Sequence, residues 1–130
     1  MNACSTVTSL LEDEAAPAET TTLRAVFFNE DNAEPEQHVL DMFSRADLDR
    51  PIPIEERDPG SLLSSHGRPI RQCVSHARQG VHREHIAHYR VNPGRPVVVN
   101  GIQLLDGDHR ALAAYLSKRK VRLVDVTRLD

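Results

Sequence analysis

Apolar positions recur along this chain with two periods, and together these divide it into candidate strands and helices. Leu23 to Phe28 is a short apolar run, Leu-Arg-Ala-Val-Phe-Phe, that reads as a strand. Pro35 suits the first turn of a helix, and Val39, Leu40, Met42 and Phe43 give a helix over about residues 35–46 one apolar face. Pro51-Ile52-Pro53-Ile54 predicts a short extended segment closed by a turn at Asp58-Pro59-Gly60. From residue 61 to 80 the helical signals weaken to Leu62 and Leu63, then Ile70, Cys73, Val74 and Ala77, with Gly80 as a C-cap. A further helix is predicted from His82 to Tyr89, stopped by Asn92-Pro93-Gly94.

The most informative stretch is Val97 to Arg110. Two apolar runs, at about 96–99 and 102–105, flank Asn100-Gly101. That pair suits a type I′ hairpin turn, whose two central positions both need positive φ. The second run ends in Asp106-Gly107-Asp108-His109-Arg110, where Leu112, Ala113, Leu116 and the Ala111/Tyr115 pair take up helical spacing. Asp106 or Asp108 can cap this helix, Lys118-Arg119-Lys120 suits its negative end, and Val121 to Val126 predicts a closing strand.

A glycine turn running into a helix leaves backbone N–H groups unpaired at the positive end of the helix dipole, which attracts phosphate. In that setting Arg110 would hold phosphate oxygens, and His109 would bond to phosphate or shuttle a proton. Asp106 or Asp108 could hold Mg²⁺ through water, because that ion takes one or two carboxylates plus phosphates. The competing account is a structural turn, with an aspartate as cap and the histidine and arginine solvated.

Charge adds to this picture. The net charge of −3 conceals 14 acidic and 4 basic side chains in residues 1–60, a balance of −10, and 5 acidic and 12 basic ones in residues 61–130, a balance of +7. Six of the seven histidines also lie in the second half. A basic half of this kind points to phosphate, on a nucleotide or nucleic acid, unless the two halves fold together and cancel. Residues 1–22, rich in Ser, Thr, Ala and Glu, read as a disordered tail. No signal peptide or membrane-length run is present, so no membrane partner is expected. Cys4 and Cys73 read as reduced thiols of a cytoplasmic protein.

From Ile52 to Val126 the chain resembles the ParB/sulfiredoxin superfamily, the small domain shared by plasmid-partition proteins, ParB-like nucleases and sulfiredoxins. The residues that carry the resemblance are the Ile52-Pro53-Ile54 segment with Asp58-Pro59 and the Arg95-Pro96-Val97-Val98-Val99 run. After a hairpin they continue as Leu105-Asp106-Gly107-Asp108-His109-Arg110 and the Ala111-Leu112-Ala113-Ala114 helix. The resemblance implies an α+β fold, a mixed sheet with a hairpin flanked by helices over residues 51–130, preceded by an acidic strand–helix extension at 23–50. It also implies nucleotide phosphates bound at Gly107, His109 and Arg110, with Arg83 and His88 from the preceding helix as helpers. Sulfiredoxins carry a catalytic cysteine where this chain has Asp108, so reductase chemistry is not expected. The extended segment would lie near the nucleotide, making Glu55 or Glu56 a candidate general base.

Other candidate sites are weaker. His82, His85 and His88 are spaced by three and two of them could share a helix face toward zinc, but no His-Glu-x-x-His pattern or cysteine pair accompanies them, and exposed or phosphate-contacting histidines are expected. No Gly-x-Ser-x-Gly elbow frames Ser64, Ser65 or Ser75. Lys118, Arg119, Lys120 and Arg122 could track a nucleic-acid backbone. The expected function is therefore a ParB-like domain that binds ATP or another nucleoside triphosphate with Mg²⁺ and hydrolyses it or cleaves DNA. His109, Asp108 and Glu55 would be its catalytic groups and Asp106 its metal ligand. The alternatives are a non-catalytic regulator or inhibitor docking DNA or a protein through its basic face, and a phosphotransferase with Glu55 or Glu56 as base.

Overall fold

In the computed structural model, residues 19–28 and 36–129 are described. A triple-valine strand sets the architecture. Val97, Val98 and Val99 are each fully buried, which requires cover on both faces of a sheet. They belong to β4 (Val97–Asn100), which pairs antiparallel with β5 (Gln103–Asp106) and parallel with β6 (Val121–Asp125). The edge strand β3 (Glu55–Arg57) runs antiparallel to β6, giving the order β3-β6-β4-β5. A second, two-stranded sheet pairs β1 (Thr20–Thr21) with β2 (Ile52–Pro53). The molecule is a small mixed α/β domain. No helix among the described residues is long and apolar enough to cross a membrane.

Alternation along the strands splits the core in two. Val97, Val99, Val121 and Leu123 face α4 (Gly80–Val91) and α5 (Asp108–Leu116), joined there by Ile86, Ala111, Leu112 and Ile70. Val98 and Val124 face the opposite side, against α1 (Leu23–Phe27) and Val39 of α2 (Gln37–Leu40). The acidic stretch 23–50 thus supplies one of the two apolar layers. It ends in α3 (Arg45–Asp49), tied back to α1 by the Arg24–Asp49 ion pair at 2.7 Å.

Several elements differ from the sequence expectation. Leu23 to Phe28 is helical instead of extended. Thr22 caps α1 by accepting from the Ala25 amide, and Leu23, Val26 and Phe27 bury at helical spacing. The helix expected at 35–46 stops at Leu40, and Ser44 with Asp47 forms a capping box that starts α3. Residues 59–80 hold three 3₁₀ segments, Pro59–Ser61, Ile70–Gln72 and Val74–Arg78, and Gly80 opens α4 at φ +35° instead of closing a helix. The hairpin turn is one residue later than expected. Asn100 pairs with Gln103, so Gly101 and Ile102 occupy its centre. Gly101 has φ +71° while Ile102 does not enter that region, so the β-branched residue excludes type I′ and only the glycine takes positive φ. Residues 20–22 of the expected tail are ordered in β1 and the α1 cap; its residues 1–18, with Cys4, and the acidic loop 29–35 lie outside the described residues.

Phe27 is fully buried against Phe43, with ring centroids 6.0 Å apart. Phe27→Ala should therefore cost about 3–5 kcal/mol in urea unfolding, a loss a dispensable extension would not produce.

Candidate functional site

At the end of β5 the chain must reverse closely over β4 before entering α5, and Gly107 makes that possible. Its φ is +106°, and an added Cβ would lie 2.6 Å from Val97 Cγ1 and 2.7 Å from Arg110 Nη2. Gly107 is also the N-cap, and no side chain caps the helix; the first intrahelical bond runs from the Ala111 amide to the Gly107 carbonyl at 2.9 Å. The orphan N–H groups of the first turn keep their positive polarity.

Neither aspartate caps this helix. Asp108 reaches the preceding loop, where one oxygen accepts the Ser65 amide at 2.9 Å and the other the Ser65 hydroxyl at 2.5 Å. Asp106 turns inward. Its Oδ2 accepts from Arg95 Nη2 at 3.1 Å and Arg110 Nη2 at 3.2 Å. Both guanidiniums are buried, that of Arg110 with only 5% exposure and 5.9 Å from the centre of the Tyr89 ring. Burial pulls the pKa of Arg110 below the ordinary arginine value, Asp106 opposes that shift, and Arg95 adds to it. The Nε of Arg110 is buried and finds no partner among the described residues.

His109 points the other way, toward α4. Its Nε2 lies 2.8 Å from His82 Nδ1, and its ring stacks on His85 at 5.1 Å. Burial lowers the His109 pKa, and the neighbouring imidazoles of His82 and His85 lower it further. The imidazole is therefore neutral at pH 7.

Two cavities meet here. One, of about 460 Å³, is lined by Gly107, Asp108, His109 and Arg110 together with Arg95 and His85. The other, of about 410 Å³, is more apolar, with Ile70, Cys73 and Leu112 in its wall and Arg68 and His82 at its polar side. His66, Asp108 and His109 line both.

The structure thus brings together Gly107, Asp108, His109 and Arg110. It does not bring Glu55, Arg83 or His88 to them. Glu55 is on the far edge strand, β3, bound by Arg57 and Arg128 at 3.1 Å each. Arg83 is exposed on α4, and His88 lines a separate cavity with Glu19 and Arg122. Magnesium finds a poor seat. Two guanidiniums share the Asp106 oxygen, both Asp108 oxygens accept from Ser65, and no group of three metal-ligating side chains occurs among the described residues. The same holds for zinc at His82, His85 and His88. The first two turn to His109 and the third lies elsewhere.

Sequence reasoning missed Arg95, which shares Asp106 across the hairpin, and Ser65, His66 and Arg68 of the loop opposite. No local pattern marks the loop residues. The helical period did allow two of the α4 histidines to share a face, but it gave no sign that His82 and His85 would meet His109 there. Compared with family models, curated proteins and solved structures, the chain matches none.

Gly107→Ala should destabilise by about 2 kcal/mol or more, because it adds left-handed strain to a sub-van der Waals contact; urea unfolding measures it. His109 titrates in the unfolded chain near its ordinary value of 6.5 and below that in the folded one. Its contribution is complete above about pH 6.5 and is lost as the pH falls through the folded value. The urea midpoint should fall between pH 7 and 5.5, and fall less in His109→Gln.

Proposed function

We propose that this chain is a small nucleotide-binding domain of the ParB/sulfiredoxin kind, taking the phosphates of ATP or another nucleoside triphosphate at the Gly107–Arg110 turn. The observation that carries the proposal is the Nε–H of Arg110, buried without a partner among the described residues, next to a helix start that no side chain caps. Leaving a buried donor unmade is costly, whereas a phosphate oxygen would satisfy it with a charge-assisted bond. The orphan amides of α5 are further donors of the same polarity. The order of elements supports the family likeness: a valine strand, a hairpin, a glycine turn, a helix, and a last strand parallel to the first.

Hydrolysis of the bound nucleotide would fall to His109, which burial keeps neutral and able to take a proton from water. Glu55 has no part in this chemistry, and Mg²⁺ would arrive on the triphosphate, not on a protein seat.

The test is a thermal-shift series with ATP, ADP, CTP and GTP, each with and without Mg²⁺, beside the matching nucleosides. Nucleotides should raise the melting temperature while nucleosides leave it unchanged, and in ¹⁵N spectra the Gly107 to Arg110 amides should move. Arg110→Lys should weaken binding about tenfold or more by replacing a buried fork with a point charge. Equal shifts from nucleosides, or no shift from any nucleotide, would refute the assignment. Phosphate release that disappears in His109→Gln while binding persists would establish turnover.

A further inference from the structure

The C-terminal ends of α4 and α5 and the start of β6 gather five cations, Arg90, Lys118, Arg119, Lys120 and Arg122, on one surface of a chain whose net charge is −3. Two are pinned. Arg90 Nε donates to Ser117 Oγ at 3.2 Å, and Arg119 donates to the Tyr89 carbonyl at 2.7 Å and the Arg90 carbonyl at 3.1 Å. The Arg119 bonds satisfy carbonyls at the end of α4, and together these contacts hold two guanidiniums in place. Lys118 and Lys120 are exposed and make no ion pair with another described residue. Arg122 is exposed too, and among the described residues its one ion pair is to an exposed Glu19 at 2.9 Å, a contact worth little in water.

The surface is continuous. Arg119 and Lys120 line both a cavity of about 430 Å³, shared with Arg110 and Arg122, and one of about 580 Å³, shared with Lys118. Glu56 and Asp58 are the acids in these walls. Lys118 also stands out in its backbone. It sits just past α5 at φ +57°, the one non-glycine residue in that region among those described, at a position where glycine has the lower backbone cost.

We infer that this surface docks on the backbone of double-stranded nucleic acid, without sequence preference. The pinned arginines and free lysines form a spread of positive charge suited to a uniformly charged rod, and releasing counterions supplies the affinity. Single strands fit less well, because the nearby rings of Tyr89 and Tyr115 are half-buried and offer no open stacking platform. This inference goes beyond nucleotide binding at the turn and does not require it.

The experiment follows the fluorescence anisotropy of a labelled 20-base-pair duplex with the full chain, from 50 to 200 mM salt. Binding should weaken with a log–log slope of about −3, as expected for three to four phosphate contacts. The combined variant Lys118→Gly, Lys120→Gln and Arg122→Gln should bind at least about tenfold more weakly with a slope about 2–3 units shallower. Lys118→Gly relieves the left-handed backbone, so the variant should keep its melting temperature and its nucleotide-induced shift. Absence of binding at 50 mM salt, or wild-type affinity in the variant, would overturn the inference. So would tighter binding of the single strand, or displacement of the duplex by polyglutamate or anionic vesicles at equal charge. Loss of the nucleotide shift alone would instead count against the Gly107–Arg110 turn.

Discussion

The Asp106 carboxylate, shared between the buried guanidiniums of Arg95 and Arg110, ties together the three pieces of chain that form the candidate site. Arg95 stands just before β4, Asp106 ends β5, and Arg110 lies in the first turn of α5. Removing charged groups from water is costly, and a shared counter-charge offsets part of that cost only while the geometry holds. Gly107 lets it hold, because any side chain there would collide with Val97 and with the Arg110 guanidinium. The hairpin, the turn and the helix are therefore locked as one unit, and the donor left over at Arg110 Nε faces the same constraint.

This lock needs a rigid floor, which the sheet provides. β4 is covered on both faces, so the two arginines and Val97 cannot relax away from the turn without opening one of the two apolar layers. α1 and α2 contribute the second layer from two short apolar runs set in an otherwise acidic part of the chain. Their burial gives β4 its second cover, and with it the fixed position of Gly107.

Around the turn the electrostatics divide by direction. On one side lie permanent positive charges, buried and paired through Asp106. On the other, three imidazoles crowd together, and His109 stays neutral because burial and its two neighbours each oppose a proton. A phosphate between them would meet fixed donors on one flank and groups able to accept or release protons on the other. The basic surface at the ends of α4 and α5 stands apart from this chemistry, with Arg110 in the wall between them.

What could be read from the chain alone was local. The triple valine, the glycine turn, the helix after it and the closing strand follow from periodicity and from glycine's access to positive φ, and their residues meet as the pattern implied. The Leu23–Phe28 run was misread because a six-residue apolar stretch fits both periods, and only packing of Leu23, Val26 and Phe27 on the sheet selected the helix. The placement of Glu55 and His88 away from the turn, the partnership of Arg95 with Asp106, and the meeting of His82 with His109 were decided by strand order and helix packing. Those contacts join residues 11 to 73 positions apart, and sequence spacing carries no information about them until the sheet has set which edges and faces adjoin.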